Sequence, residues 1–421
     1  MFSKFEQNFN DEQNLKMAAG PSSKGAPASE RLYAIVKPEL LKWARETGGF
    51  TLEQAAKKLG LPNPERLTAF ERGELKPTVR QLREASRVYK RPLSIFFLKK
   101  PPHTPQPLHD FRRLPGIDAP ELSPELLLEM RRARRRQTIA TELTSELGAK
   151  VQTFSISTSL SDNPEKAAEH VRLWLGVSLE EQRRWKGEYD ALNGWINVLE
   201  RHDILVFQTS EVVLEEMRGF SISGSTFPVI VLNSKDRPRA RVFSLMHEFV
   251  HLTLNRGGVC FPSYGTGTRT RTQNERVESF CNKVAGEILV PTPALNFTLS
   301  SQPRFTNLKP PDQLIQYLAQ EFAVSREVIL LRLLALQLAS ASYVAEKFQQ
   351  YKKQYAKLKQ SQENLGFVPF YRLVVRDNGK RYIRLTLEAL KQQQITHADI
   401  SEYLGIKLKH LDIIEDEARI K

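Results

Sequence analysis

The chain has 421 residues, with 62 Lys or Arg against 48 Asp or Glu and a net charge of +14. That length exceeds one typical core and points to about two to four domains, while the basic balance favours a polyanionic partner, most simply nucleic acid. Two cysteines, Cys260 and Cys281, are too few for a disulfide framework, and neither a basic-then-apolar leader nor an apolar run of membrane-spanning length is present, so the expectation is a cytoplasmic protein that avoids membranes.

Residues 1–30 are polar and end in GPSSKGAPAS, too poor in apolar area to offset ordering entropy, and read as a disordered tail. Residues 31–100 then carry short helical patterns. Leu40, Leu41 and Ala44 mark the first, which stops at Gly48-Gly49. Thr51-Leu52-Glu53-Gln54 is a capping-box start for the second, which runs through Ala55, Ala56 and Leu59 to Gly60. Pro64 opens the third, and Leu82, Ala85 and Val88 mark a fourth. This segment holds sixteen Lys or Arg against seven Asp or Glu, so net +9 of the chain's +14 is concentrated in it. A basic helix-turn-helix unit at 51–72 is suited to the major groove of double-stranded DNA. The run "TLEQAAKKLGLPNPERLTAFERGELKPTVRQLREASRVYKRPLSIFFL" resembles a Cro/repressor-type (XRE) helix-turn-helix domain. The resemblance implies a recognition helix at about 64–72, with Glu65, Arg66, Thr68 and Arg72 as DNA contacts.

Residues 101–184 open with a proline-rich connector containing "HDFRRLPG". They continue into a basic helix over 124–148 whose Arg131, Arg132, Arg134, Arg135 and Arg136 either grip phosphates or form a solvated face.

Residues 185–300 hold the chemistry. Ile204–Gln208 and Val229–Leu232 are β-branched runs separated by Gly219, Gly224 and Pro228, and read as two strands. A helix from about Ala240 to Leu254 follows, carrying His247-Glu248-Phe249-Val250-His251. Such an HExxH set places two imidazoles on one helical face with a carboxylate beside them, the pattern of a zinc peptidase. A catalytic zinc needs three protein ligands, and the next helix offers Glu275, Glu278 and Glu287. Its apolar positions Val277, Phe280, Cys281, Val284, Ala285, Ile288 and Leu289 form one stripe. Glu278 lies at the edge of that stripe and Glu275 further round toward solvent, so the wheel prefers Glu278 to Glu275 while leaving Glu287 open.

"RVFSLMHEFVHLTL" followed by "ERVESFCNKVAGEILVP" resembles the ImmA/IrrE family of metallopeptidases. In that family the glutamate four residues before the asparagine of the second motif completes the site, and counting back from Asn282 gives Glu278. The resemblance thus implies a Zn2+ ion on His247, His251 and Glu278, with Glu248 as general base. Tyr264, Arg269 and Arg271 in the intervening loop are candidates for the oxyanion donor.

Residues 301–421 read as a helical region. "PDQLIQYLAQEFAVSREVILLRLLALQLAS" forms a helix pair resembling the family's helix-turn-helix-like appendage, with Val328, Leu331, Ala335 and Leu338 at core spacing. A Tyr- and Lys-rich helix over 343–360 follows, then a short hairpin in "YRLVVRDNGKRYIRLTL" turning at Asp377-Asn378-Gly379, and a last helical pair. The fold class expected is α+β: a mainly α-helical multidomain chain with a small mixed-sheet, zincin-like (gluzincin) domain carrying HExxH on a helix. The function expected is a DNA-binding, zinc-dependent metalloendopeptidase that cuts a protein partner, by family resemblance a transcriptional repressor. The rival is an antitoxin-like regulator that binds its own operon and neutralises a toxin, with peptidase activity secondary or absent. Either is compatible with a homodimer.

Overall fold

A computed structural model describes residues 32–102, 109–110, 122–255, 258–260, 273–303, 305, 307–361 and 368–419. The N-terminal tail, most of the proline-rich connector, and Tyr264, Arg269 and Arg271 lie outside the described residues. The backbone divides into two compact units, one of residues 1–45 with 51–101 and one of residues 46–50 with 102–421. Among the described residues no helix is long and apolar enough to cross a membrane.

The first unit contains α1 (Pro38–Glu46), α2 (Leu52–Lys58), α3 (Pro64–Arg72) and α4 (Val79–Tyr89). Each boundary is written in local chemistry. Thr51 and Gln54 form the expected capping box, the hydroxyl accepting from the Gln54 N–H while Gln54 Oε1 accepts from the Thr51 N–H, both at 3.2 Å. Asn63 caps α3 by accepting the Arg66 N–H at 3.1 Å. Gly73 ends α3 in the left-handed region at φ 77°, and a Cβ there would lie 2.9 Å from the Pro38 ring, so torsion and close approach both call for glycine. Leu40, Leu41, Ala44, Ala55, Ala56, Leu67, Phe70, Leu82 and Ala85 fill the core. Arg45 on α1 grips Glu71 on α3 through two parallel bonds of 2.7 and 2.9 Å, out of solvent.

The second unit runs β1 (His109–Asp110), α5 (Pro124–Glu146), α6 (Pro164–Leu175), α7 (Leu179–Arg184), α8 (Glu188–Arg201), β2 (Leu205–Thr209), β3 (Gly219–Ile222), β4 (Val229–Asn233), α9 (Pro238–Thr253), β5 (Gly258–Cys260), α10 (Gln273–Leu289), α11 (Thr292–Ser300), α12 (Asp312–Glu321), α13 (Arg326–Ala335), α14 (Ala341–Ser361), α15 (Phe370–Asn378), α16 (Lys380–Lys391), α17 (His397–Leu404) and α18 (Leu411–Arg419). The sheet order is β1-β5-β3-β4-β2. β2 runs parallel to β4, with Leu205 opposite Val229, and β3 runs antiparallel to both β4 and β5. The fold is therefore α+β and mainly helical, as expected. The third central strand, β3, departs from the two expected, because Gly219, its first residue, reads as punctuation together with Gly224 and Pro228.

Alternation along the strands divides the second unit into two cores. Val206, Ile230 and Leu232 face a layer built from α6, α8, α9, α10, α12 and α13. Leu205, Phe207, Phe220, Ile222, Val229 and Val231 face the opposite way, against α5, α15, α16, α17 and α18. A sheet covered on both faces explains why these strands are apolar runs rather than half-polar ones. The basic helix α5 is part of this packing. Arg136 lies 4.8 Å over the Phe207 ring and donates to the Asp377 carbonyl, Arg132 pairs with Glu129, and Arg135 pairs with Glu402.

The hairpin expected at Asp377-Asn378-Gly379 is not formed; the segment is two helices, α15 and α16, meeting at Gly379. The turn signal marked a real joint, with Gly379 at φ 70° and any Cβ there only 2.5 Å from the Val206 carbonyl oxygen. Buried Asn378 holds the joint by donating to the carbonyls of Val374 and Leu404. The error was one of period. Val374, Val375 and Asn378, then Tyr382, Ile383, Thr386 and Leu387, recur at helical spacing, yet Ile383, Leu385 and Leu387 also alternate as a strand would. In the α12–α13 pair, which forms as expected around a turn at Val324-Ser325, the buried apolar positions of α13 are Val328, Ile329, Leu330 and Leu333, while Ala335 is exposed.

Candidate metal centre

α9 is apolar on nearly every side and buried from Arg241 through Thr253, as a helix enclosed between a sheet and other helices must be. His247 and His251 sit one turn apart on its face toward α10, and both are fully buried. On α10 the expected stripe from Val277 to Leu289 is buried against the core and carries Glu278 at its edge.

The three side chains converge. His247 Nε2 and His251 Nε2 lie 3.1 Å apart, His251 Nε2 is 3.1 Å from Glu278 Oε1, and His247 Nε2 is 3.3 Å from Glu278 Oε2. Donors held at about 2.0–2.2 Å around a tetrahedral zinc are separated by roughly 3.3 Å, so these three spacings fit one face of such a tetrahedron. Among the described residues this is the one group of His, Cys, Asp and Glu side chains placed to hold a metal ion.

The electrostatics follow from burial and proximity. Burial opposes charge on Glu278, but the two imidazoles beside it win and bring its carboxyl down to about 2. Burial likewise opposes charge on His247, yet Glu278, then Glu248 and a hydrogen bond with Asn282, move it upward. The site is an anionic acceptor flanked by two imidazoles, which is the donor set a divalent cation displaces protons from.

Residues 199–334 match the sequence model of the IrrE N-terminal-like domain. The chain thus carries an ImmA/IrrE-type peptidase domain, and residues 41–96 match a helix-turn-helix model of the XRE type. No curated protein matches the chain. The IrrE-like match begins at the end of α8 and closes in α13, leaving α5 and α15–α18 outside it although they cover one whole face of its sheet.

Of the other glutamates, Glu287 is committed elsewhere. It pairs with buried Arg332 of α13 and accepts from the Thr292 hydroxyl, so it does not join the cluster. The end of α10 is held by side chains that take up its last carbonyls. Arg172 donates to Ile288 O, Gln182 to Leu289 O, and Arg332 to Val290 O. Three neighbouring helices thereby fix the helix that bears Glu278. Cys281 is buried at the centre of the α10 stripe, as its spacing indicated.

Glu248, next to His247 on α9, reaches toward β3 while its charge still acts on the His247 imidazole. It is fully buried, and Oε2 accepts a hydrogen bond from Ser221 Oγ at 2.9 Å. Ser221 and Asn282 were missed as site residues. Ser221 had a legible signal, since Gly219-Phe220-Ser221-Ile222-Ser223 alternates small or polar with large apolar residues, the mark of a strand whose two faces differ.

The helix-turn-helix candidates occupy α3. Glu65 and Arg66 are exposed on its first turn, Arg72 is exposed at its end with Glu74 3.8 Å away, and the Thr68 hydroxyl donates back to the Pro64 carbonyl from a half-buried position.

Proposed function

We propose that the chain is a DNA-binding, zinc-dependent metalloendopeptidase that cleaves a protein partner, a transcriptional repressor being the substrate class the family resemblance suggests. The observation that carries the peptidase reading is the convergence of His247, His251 and Glu278 at 3.1–3.3 Å with Glu248 anchored beside them. His247, His251 and Glu278 would hold the ion. Zinc bound there would supply Lewis acidity toward the scissile carbonyl and lower the pKa of a bound water. The carboxylate of Glu248 is placed to act as general base toward an attacking water and to return the proton to the leaving amine. Buried surroundings strengthen both interactions by excluding competing solvent. Glu65, Arg66, Thr68 and Arg72 are proposed as the DNA contacts of α3, with the localised basic charge of residues 31–100 supplying affinity for phosphates.

The test is Glu248→Gln in the full chain. Metal content should be retained, whereas proteolysis of any repressor encoded beside this gene should be lost. Retained proteolysis rejects the peptidase mechanism. If Glu248→Gln instead leaves operon repression and toxin neutralisation intact with no cleavage of any neighbour by wild type, the antitoxin-like role takes its place. For DNA, binding to the upstream region should weaken steeply with added salt, and binding indifferent to salt rejects phosphate contact.

A further inference from the structure

We infer that Gly219 and Ser221 of β3 are positioning residues for Glu248, forming a cradle that fixes the orientation of its carboxylate beside the two imidazoles. The inference deepens the peptidase reading and rests on it.

The face of the sheet turned to α9 is apolar on β4, where Ile230 and Leu232 join the core. In the register of the antiparallel pair, Ser221 lies opposite Ile230 and Gly219 opposite Leu232. The apolar surface is thus interrupted at two adjacent positions of one strand, and both meet Glu248. Ser221 is fully buried and donates to Glu248 Oε2 at 2.9 Å. A Cβ on Gly219 would lie 3.1 Å from Glu248 Cγ, 3.2 Å from Oε1 and 3.2 Å from the Val231 carbonyl oxygen. These contacts are tighter than ordinary packing, and the backbone carbonyl on one side leaves the glutamate as the group that gives way.

The two residues do different work on the same side chain. The Ser221 bond sets the rotation of the carboxylate by tying down one oxygen. The bare Cα of Gly219 lets the stem and the second oxygen lie against the strand. A buried hydroxyl in an otherwise apolar row costs desolvation free energy unless it is bonded, and alanine would fill the same space without that cost. Its value lies in what it holds.

A purely structural role, in which Ser221 only offsets the burial of Glu248, makes a different prediction, so the experiment separates the two. The probe is acetohydroxamate, which chelates zinc and needs a correctly placed carboxylate to accept its proton. Its affinity is measured for the zinc-loaded full chain, alongside zinc affinity by chelator competition and the urea midpoint. Glu248→Gln sets the scale of losing the carboxylate. Ser221→Ala should weaken acetohydroxamate roughly tenfold, the usual consequence of removing a hydrogen bond to a charged group, with zinc affinity unchanged. Ser221→Thr, which keeps the hydroxyl, should restore most of it, and Gly219→Ala should weaken the probe by displacing the carboxylate.

Wild-type acetohydroxamate affinity in Ser221→Ala overturns the inference, whatever happens to the urea midpoint. If Ser221→Ala fails to fold, near-isosteric Ser221→Cys replaces it, and unchanged affinity there overturns the inference equally. Failure of wild type to bind zinc, or indifference of the probe to Glu248→Gln, counts against the peptidase reading itself and is distinct from both.

Discussion

In the first unit, Arg45 and Glu71 bury their charges by facing each other, with bonds of 2.7 and 2.9 Å between guanidinium and carboxylate. In the second, His247, His251 and Glu278 bury theirs with donor atoms turned toward a common point at 3.1–3.3 Å. The Arg45–Glu71 pair is closed: each charge is neutralised by the other, and the result is a fixed angle between α1 and α3. The triad is open, since two of its three members are bases that compete for the same carboxylate, and a divalent cation satisfies all three at once. Complementary forks mark structure, whereas convergent lone pairs mark a place kept for something else.

The sharpest way to break this contrast is Glu278→Gln, which should lower zinc affinity by more than about 100-fold, beyond what loss of an outer hydrogen-bond partner does. Chelator competition reads it, and near wild-type affinity would mean that the convergence is accidental. The closed pair should respond in the opposite way to single and double replacement. Arg45→Met alone leaves a buried carboxylate and should cost about 3–5 kcal/mol, while Arg45→Met with Glu71→Leu should be close to neutral. Fluorescence of Trp43, which stacks with Arg91 in the same unit, follows urea unfolding there. A double variant as damaged as the single would mean that the pair does more than neutralise itself.

Phe207→Ala asks whether the α5 and C-terminal layer unfolds together with the layer that carries the histidine–glutamate triad. Phe207 is 1% exposed between Arg136 and Tyr382, and truncation should cost about 3–5 kcal/mol. The loss should appear in the unfolding transition monitored at Trp195, whose side chain lies in the other core. A Trp195 transition that stays in place would make the two layers independent.

The smallest expected effect is pH-dependent. Glu200 at the end of α8 is buried against the start of α16, accepting the Arg381 backbone N–H, and burial raises its carboxyl from 4.5 to about 7. The folded protein therefore holds a proton that the unfolded chain releases. Its stabilising contribution is complete below pH 4.5 and lost as pH rises through about 7, with a swing on the order of 3 kcal/mol. Glu200→Gln should flatten that part of the stability profile, and an unchanged slope would place the titration elsewhere.

Much of the centre was readable from local pattern. HExxH spacing put the two imidazoles on one face, the α10 stripe placed Glu278 at its edge, and capping boxes fixed the starts of helices in the first unit. These features repeat within one helical turn, so neighbouring residues carry the whole signal. The hairpin error at Gly379 had the opposite origin. Its flanking residues satisfy two periods, and only burial against β2 and α5 decides between them.

The sequence by itself determined which residues could ligate, where the basic charge is concentrated, and which helices could form, because spacing and composition are local properties of the chain. Tertiary structure alone decided that Glu287 belongs to Arg332, that α5 and the last four helices cover the second face of the sheet, and that Ser221 and Gly219 lie against Glu248. Each of those outcomes pairs groups far apart in the chain. Their meeting depends on strand register and on which element finally buries which face, and neither quantity is encoded in any short window.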